Sequence, residues 1–252
     1  MRAKRNSLRI RRHWREEQEW PLARTLYTPY YLHAKGGLSG EKPSDDAPIT
    51  YQFDPKNAVP TIGGNVSSQG TLMFQGAADQ RCRADFWLCT DTRPLAARND
   101  VVVFQTTPLD ADVEVTGRLV VKLWGSSDAL DTDFTAKLVD EYPPNADYPN
   151  GVDLNIADSI VRARYRKGPG KAELMKPGEP YKFTIEMNPT SLVFKKGHRI
   201  RLDISSSNFP RFDVNPNTGE PVADATELRK ATQTVYHDAR RPSYVVLPVL
   251  QD

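Results

Sequence analysis

The strongest constraint on this chain is an alternation of apolar and polar residues with a period of two, recurring from residue 101 onward. In VEVTGRLVVKLW, Val113, Val115, Leu119, Val121 and Leu123 fall on one face, and Glu114, Thr116, Arg118 and Lys122 on the other. YKFTIEM sets Tyr181, Phe183, Ile185 and Met187 against Lys182, Thr184 and Glu186. RIRLDIS sets Ile200, Leu202 and Ile204 against Arg199, Arg201 and Asp203, and SIVRARYR alternates Val161, Ala163 and Tyr165 with Arg162, Arg164 and Arg166. Successive side chains of a strand point to opposite faces, so these segments predict strands. Half-apolar strands belong to antiparallel sheets with one face on a core and the other in water. Val101–Thr106, Phe134–Tyr142, Thr234–His237 and Tyr244–Leu250 are further strand candidates, separated by turn chemistry at Lys176–Glu179, Lys195–Gly197 and Pro143–Gly151. With twenty prolines and almost no helical period, the pattern predicts an all-β antiparallel β-sandwich or jelly roll. One short helix is expected around Asp224–Thr232, where Ala225, Leu228, Ala231 and Thr232 approach helical spacing.

The first hundred residues read differently. Trp14, Trp20, Tyr27, Tyr30 and Tyr31 punctuate a polar, proline-bearing segment, followed by a loop-like AKGGLSGEKPSDDAP. From there to Arg98 the chain reads as extended and irregular. We take 14–100 as an N-terminal segment wrapped around a sandwich of residues 101–252, the two forming one domain over 14–252. Residues 1–13 form a basic tail with six basic side chains and no acid, leaving a body of net charge −4. A nucleic-acid arm needs a matching basic surface or interleaved aromatics in the body. Neither is present, so the tail reads as a solvated terminus and no nucleic-acid partner is expected. No run of about 18 apolar residues suggests a membrane span, and the start lacks the apolar stretch of a signal peptide. A cytoplasmic protein is the expectation, and in that setting Cys82 and Cys89 read as two thiols.

The search for chemistry is mostly negative. The strained G-x-S-x-G elbow of serine hydrolases is absent, and GGLSG at Gly36–Gly40 does not match its spacing. His198 follows a turn glycine and reads as structural. His237 and Asp238 are neighbours that a strand would point to opposite faces, so they cannot form a relay. Asp128, Asp131 and Asp133 suggest a calcium loop or a carboxylate pair, but lack the ligand number and spacing, and we read them as turn caps. No metal, cofactor or catalytic residue is expected. Trp87 and Trp124 are candidates for a flat carbohydrate-binding platform, with core packing as the alternative. The stripe of Arg162, Arg164 and Arg166 reads as a solvated outer face.

Several strings go beyond pattern. Val113–Pro143, Ser159–Arg166 (SIVRARYR) and Phe194–Gly219 (FKKGHRIRLDISSSNFPRFDVNPNTG) resemble the C-terminal domain of the CocE/NonD family of serine hydrolases. Trp14–His33, Phe53–Gly64, ADQR at Ala78–Arg81 and the closing PSYVVLPVL resemble the same family in the same order, so the likeness runs over roughly residues 14–250. Residues 1–13 lack the hydrophobic strand that usually precedes the WR motif, which suggests a start set by a truncated gene or shifted frame. The resemblance implies a galactose-binding-like jelly roll that follows, and packs against, an α/β-hydrolase domain carrying the catalytic serine, aspartate and histidine. This sequence begins after those positions, so no triad residue carries over and the chain alone is expected to be inactive. Within GTLMFQG, Leu72, Met73 and Phe74 match the positions that reach toward the active site and wall its acyl pocket; burial between wrap and sandwich is the alternative. The Ser205–Asp213 loop reads as structural. The implied partner is an α/β-hydrolase catalytic domain or separate subunit, contacted through an apolar patch at Leu72–Phe74 and the N-terminal aromatics, with self-association expected of the isolated chain. A stand-alone carbohydrate-binding module or assembly protein is the alternative function.

Overall fold

The computed structural model describes residues 16–44, 46–66, 73 and 75–251. The basic tail, Trp14, Leu72 and Phe74 lie outside these. The alternating segments are strands, and their apolar faces meet. Eleven strands are formed: β1 (Thr25–His33), β2 (Gly37–Ser39), β3 (Ile49–Phe53), β4 (Val102–Gln105), β5 (Val113–Ser127), β6 (Asp133–Tyr142), β7 (Val152–Arg162), β8 (Tyr181–Phe194), β9 (Arg199–Ser205), β10 (Ala231–Tyr236) and β11 (Tyr244–Leu250). Pairing runs β3-β10-β5-β11-β1-β2-β4-β9-β6-β7, with β8 on the other edge of β5. All pairs are antiparallel except a single parallel contact of β2 with β4, Gly37 opposite Gln105. Around that weak join the sheet folds over, so that β4-β9-β6-β7 faces the layer built on β5.

The core between the layers is the set of residues that the alternation selects. Val115, Leu119, Val121 and Leu123 of β5, Phe183 and Ile185 of β8, and Ile200, Leu202 and Ile204 of β9 are fully buried. Phe134 of β6 reaches across to Phe183, ring centroids 4.9 Å apart. It also lies on Gly125 of β5, where an added Cβ would stand 3.0 Å from the ring, so only glycine leaves room for this aromatic.

Four expectations need correction. The segment 14–100 is not simply irregular, because it supplies β1, β2 and β3 to the sheet and a satellite core of Val59, Ile62, Cys82, Phe86, Leu95 and Val101. Cys82 and Cys89 are a disulfide, not two thiols, since the turn between them brings their Cα atoms to 5.6 Å. Spacing in sequence does not reveal that closure. No helix forms at Asp224–Thr232; the chain there is irregular and then enters β10, where cross-strand bonds to β3 and β5 override a weak helical spacing. SIVRARYR is a strand only as far as Arg162, where a 3₁₀ turn over Ala163–Tyr165 begins. Removing the disulfide by Cys82→Ser with Cys89→Ser should cost about 2–3 kcal/mol for so short a loop. Urea unfolding of the variant against the oxidised chain measures it, and equal midpoints would contradict it.

The second face of the β6-β7-β9 layer is not wet. Every residue from Asp133 to Asp140 is buried. The cover comes from residues 59–66 and 75–98. Its Ala78–Gln80 stretch lies along the edge strand β7, with Asn155 N–H donating to Ala78 O (3.1 Å) and Gln80 N–H to Asp153 O (2.8 Å), which blunts an otherwise open edge. Among the described residues no helix is long and apolar enough to cross a membrane.

Candidate functional site

Covering a polar strand face forces its charges to find partners, because an unpaired buried charge is expensive. Lys137, in mid-β6, is 4% exposed and donates from Nζ to Gln80 Oε1 at 3.0 Å. Burial pushes its ammonium down to about 8, with Asp158 and Asp203 pulling it back up. Arg201 is held by Asp203 (2.9 Å) and Asp153 (2.8 Å). Asp158, on β7, accepts from Arg211 Nη1 and, at 2.6 Å, from Asn208 Nδ2. Gly64 lies on this ion pair: with φ +100°, its missing Cβ would be 3.0 Å from Arg211 Nη1 and 3.1 Å from Asp158 Oδ1. A side chain there would both strain the backbone and displace the pair. Gly64 N–H in turn donates to Gly76 O (2.7 Å) and Gly76 N–H to Gly64 O (2.9 Å).

A second cluster uses the residues that the sequence offered as a metal loop and as a solvated stripe. Asp131, fully buried, accepts from Arg164 Nε (2.7 Å), Arg164 N–H (2.8 Å) and Asn215 Nδ2 (3.0 Å). Asp133 holds Arg162 in a fork of two 2.9 Å bonds. The arginine stripe is therefore not a solvated face. Arg162 and Arg164 neutralise the carboxylates, and Arg166 lies 4.3 Å over the Tyr181 ring and bonds Glu173. Asp128 does cap a backbone group, the Thr232 N–H (3.0 Å).

The histidines among the described residues, His33, His198 and His237, fall into three settings. His33 Nε2 bonds Ser39 Oγ (2.9 Å), a diagonal contact in the β1–β2 hairpin, while Ser39 Oγ also accepts from Glu41 N–H (3.2 Å). His198 Nδ1 meets Asp140 Oδ1 at 2.9 Å beneath the Tyr142 ring; burial pushes Asp140 up to about 6. His237 is fully buried, edge-on to Phe104, with neither ring nitrogen hydrogen-bonded to a described residue. Asp238 turns away to Arg240 and Arg241. Burial lowers the His237 pKa. The unfolded chain therefore takes up the His237 proton first, and this contribution to stability is full above about pH 6.5 and lost as pH falls below it. Asp140 has the opposite sign: its folded pKa is raised, so stability grows as pH falls from about 6 toward the carboxylate range. His237→Phe should remove the acid-side loss and leave the Asp140 gain exposed in urea midpoints measured from pH 7 to 5. An unchanged profile would contradict this.

Of the sequence candidates, Met73 is half-buried. Trp87 is 59% exposed on the disulfide-closed loop, edge-on to Phe86 and Phe209. Trp124 is half-buried on β5, its N–H donating to Ser243 Oγ (2.8 Å). The two tryptophans sit on separate elements, Trp87 in the disulfide-closed loop and Trp124 on β5. A cleft of about 260 Å³ beside the disulfide is lined by groups already paired: Arg98 with Asp100 (2.7 Å), Arg93 with Asp91 (2.7 Å) and Asp54 with Lys230 (2.8 Å). Sequence reasoning missed Lys137, Gln80, Asp158 and Arg211; each sits at a polar position of an ordinary strand or loop, and no local signal marks it for burial.

The fold and its polar sites define a β-sandwich module whose buried charges serve structure. A family model described as the X-Pro dipeptidyl-peptidase C-terminal non-catalytic domain matches residues 2–246, and the chain belongs to that family, the non-catalytic C-terminal domain of CocE/NonD hydrolases. The match takes in most of the basic start that the motifs alone had set apart. The chain is 39% identical over 253 residues to cocaine esterase of Rhodococcus sp. (strain MB1 Bresler), which covers 94% of this chain and 40% of that enzyme. An aminopeptidase structure from the marine sediment archaeon Thaumarchaeota archaeon superposes with a TM-score of 0.81 at 28% identity, over 95% of this chain and 39% of its own. An α-amino acid ester hydrolase structure gives 0.75 at 30% identity, over 88% and 36%. The chain thus spans well under half the length of these relatives.

Proposed function

We propose that this chain is the supporting domain of a serine hydrolase acting on esters, amides or X-Pro peptides. It packs against an α/β-hydrolase catalytic domain, in one polypeptide or as a separate subunit, and offers Leu72, Met73 and Phe74 as part of the active-site wall. The observation that supports this most directly is the fixed pairing of Gly64 with Gly76, the described residues that flank those positions. The reciprocal Gly64–Gly76 bonds lie on the buried Arg211–Asp158 pair, and a wall segment needs such a fixed footing to hold substrate in register. The nucleophile and its base then belong to the partner domain. Loss of a triad removes on the order of 10⁶ in turnover, so the purified chain should hydrolyse p-nitrophenyl esters no faster than an albumin control. Turnover that a serine-directed phosphonate abolishes would overturn the proposal.

A carbohydrate-binding role is favoured by one observation only, the exposure of Trp87; retardation in polysaccharide affinity gels, lost in Trp87→Ala, would establish it. The Cys82–Cys89 disulfide weighs against a cytoplasmic setting, since such bonds persist in oxidising compartments.

A further inference from the structure

His237, at the exit of β10, is a base shut in the core. It is fully buried, and neither ring nitrogen has a hydrogen-bond partner among the described residues. It stands where the two layers are joined. Its ring lies edge-on to Phe104 of β4, centroids 6.1 Å apart. The residue after Phe104, Gln105, makes the single bridge to Gly37 of β2, and Gly37 is paired with His33 of β1. In the strand order this bridge is the only pairing between the layer built on β5 and the β4-β9-β6-β7 layer. The hairpin turn beside it packs closely on β4: at Gly36, φ +76°, an added Cβ would stand 2.7 Å from Val103 O. Ser243 ties β1 to the end of β10, its carbonyl accepting from Leu32 N–H (3.0 Å) and its Oγ donating to Tyr236 O (2.5 Å).

We infer that His237 is a proton-operated latch: its neutral ring keeps the β2–β4 join closed, and protonation opens the sandwich there while the β5–β8 body holds. The join is the weak line of the sheet, one bridge against seven residue pairs in β1–β11 and twelve in β5–β8. The charged groups that reach the ring are His33 on β1, Asp46 in the segment before β3, and Asp238 next in sequence. Phe104 of β4 brings no charge. Asp238 is committed to the Arg240 and Arg241 N–H groups and to Arg241 Nε. Asp46 accepts from Ser44 Oγ (3.4 Å), and His33 can add only positive charge. An imidazolium at 237 would therefore lack an acceptor until the chain around it moves or water enters. Burial already disfavours that charge and holds the ring below the ordinary histidine value. The open form thus takes up the proton first, and opening grows as pH falls below about 6.5. One proton multiplies the open population by at most about tenfold per pH unit.

Amide hydrogen exchange on the full chain tests this, read as protection factors so that the intrinsic pH dependence of exchange drops out. The near reporters are Leu32 N–H, bonded to Ser243 O, and Gly37 N–H, bonded to Ala34 O. The far reporters are Val121 and Ile185, paired across β5 and β8. As pH falls from about 6.5, protection at Leu32 and Gly37 should drop by up to about tenfold per unit while Val121 and Ile185 hold. His237→Phe keeps an aromatic ring against Phe104 and should abolish the drop; His33→Gln should retain it. Carbon-13 shifts of the His237 ring read the same event in the unmodified chain, so the test survives a variant that does not fold. The ring should gain its proton only as Leu32 and Gly37 lose protection. A ring that charges while both amides stay protected overturns the inference. So does a drop that His237→Phe leaves in place, or one that His33→Gln removes. An equal loss at all four amides would make the event global unfolding and would equally refute a latch at the join.

Discussion

Replacing Asp131 by alanine should destabilise the chain by about 3–5 kcal/mol, because it strands the buried Arg164 guanidinium without its counter-charge. Asp131 is fully buried, and its two oxygens take up Arg164 Nε, the Arg164 backbone N–H and the Asn215 amide. Deleting the carboxylate leaves Arg164 Nε and the Arg164 N–H facing a void, while Asn215 Nδ2 keeps its 2.8 Å bond to Asp133, and the charged donor dominates the cost. For a chain of this size the melting temperature should fall by about 2–4 °C for each kcal/mol. The mechanism makes a second demand. Asp131→Leu combined with Arg164→Met removes both charges and should recover most of the loss, as apolar replacements of buried ion pairs generally do. A double variant no more stable than Asp131→Ala would show that the cluster acts through packing and not through paired charge.

Asp158→Ala should have a comparable effect, felt first at the Gly64–Gly76 pair. Asp158 neutralises Arg211, accepts from Asn208 and favours the charged form of buried Lys137. Without it two cations share one buried layer, and the least costly relief is to lift the cover of residues 59–66 and 75–98 and admit water. The expected reading is amide exchange at Gly64 and Gly76 on the order of 100-fold faster, about 3 kcal/mol of lost local protection. Exchange there that stays slow while global stability falls would show that the Arg211–Asp158 pair does not hold Gly64 and Gly76 in place.

Both predictions concern charges that the sequence showed and whose burial it did not. The alternation in β5, β8 and β9 told which residues meet in the core, since side-chain direction in a strand is a local property and one apolar face needs one core. The same alternation says nothing about what lies on the opposite face. Arg201 and Asp203 looked solvated and are buried, whereas Lys182 and Glu186 looked solvated and are exposed. The difference is the cover of residues 59–66 and 75–98, which lies over the first pair and not the second. The disulfide was misread for a related reason: two cysteines seven apart close only if the turn between them does, and that turn is held by the satellite core around Phe86.

The sequence by itself determined that the chain would be antiparallel β, which side chains would form the sandwich core, and, through its motifs, to which family it belongs. Each of those follows from residues within one strand or one string. Only the tertiary structure decided where the polar residues went. Arg164 finds Asp131 from 33 residues away, Arg211 finds Asp158 from 53, and Lys137 finds Gln80 from 57. It likewise brought the Tyr31 ring to 5.3 Å from that of Tyr244, most of the chain away in sequence. Pairing across such distances depends on which strands become neighbours, a property of the folded sheet that no local pattern encodes.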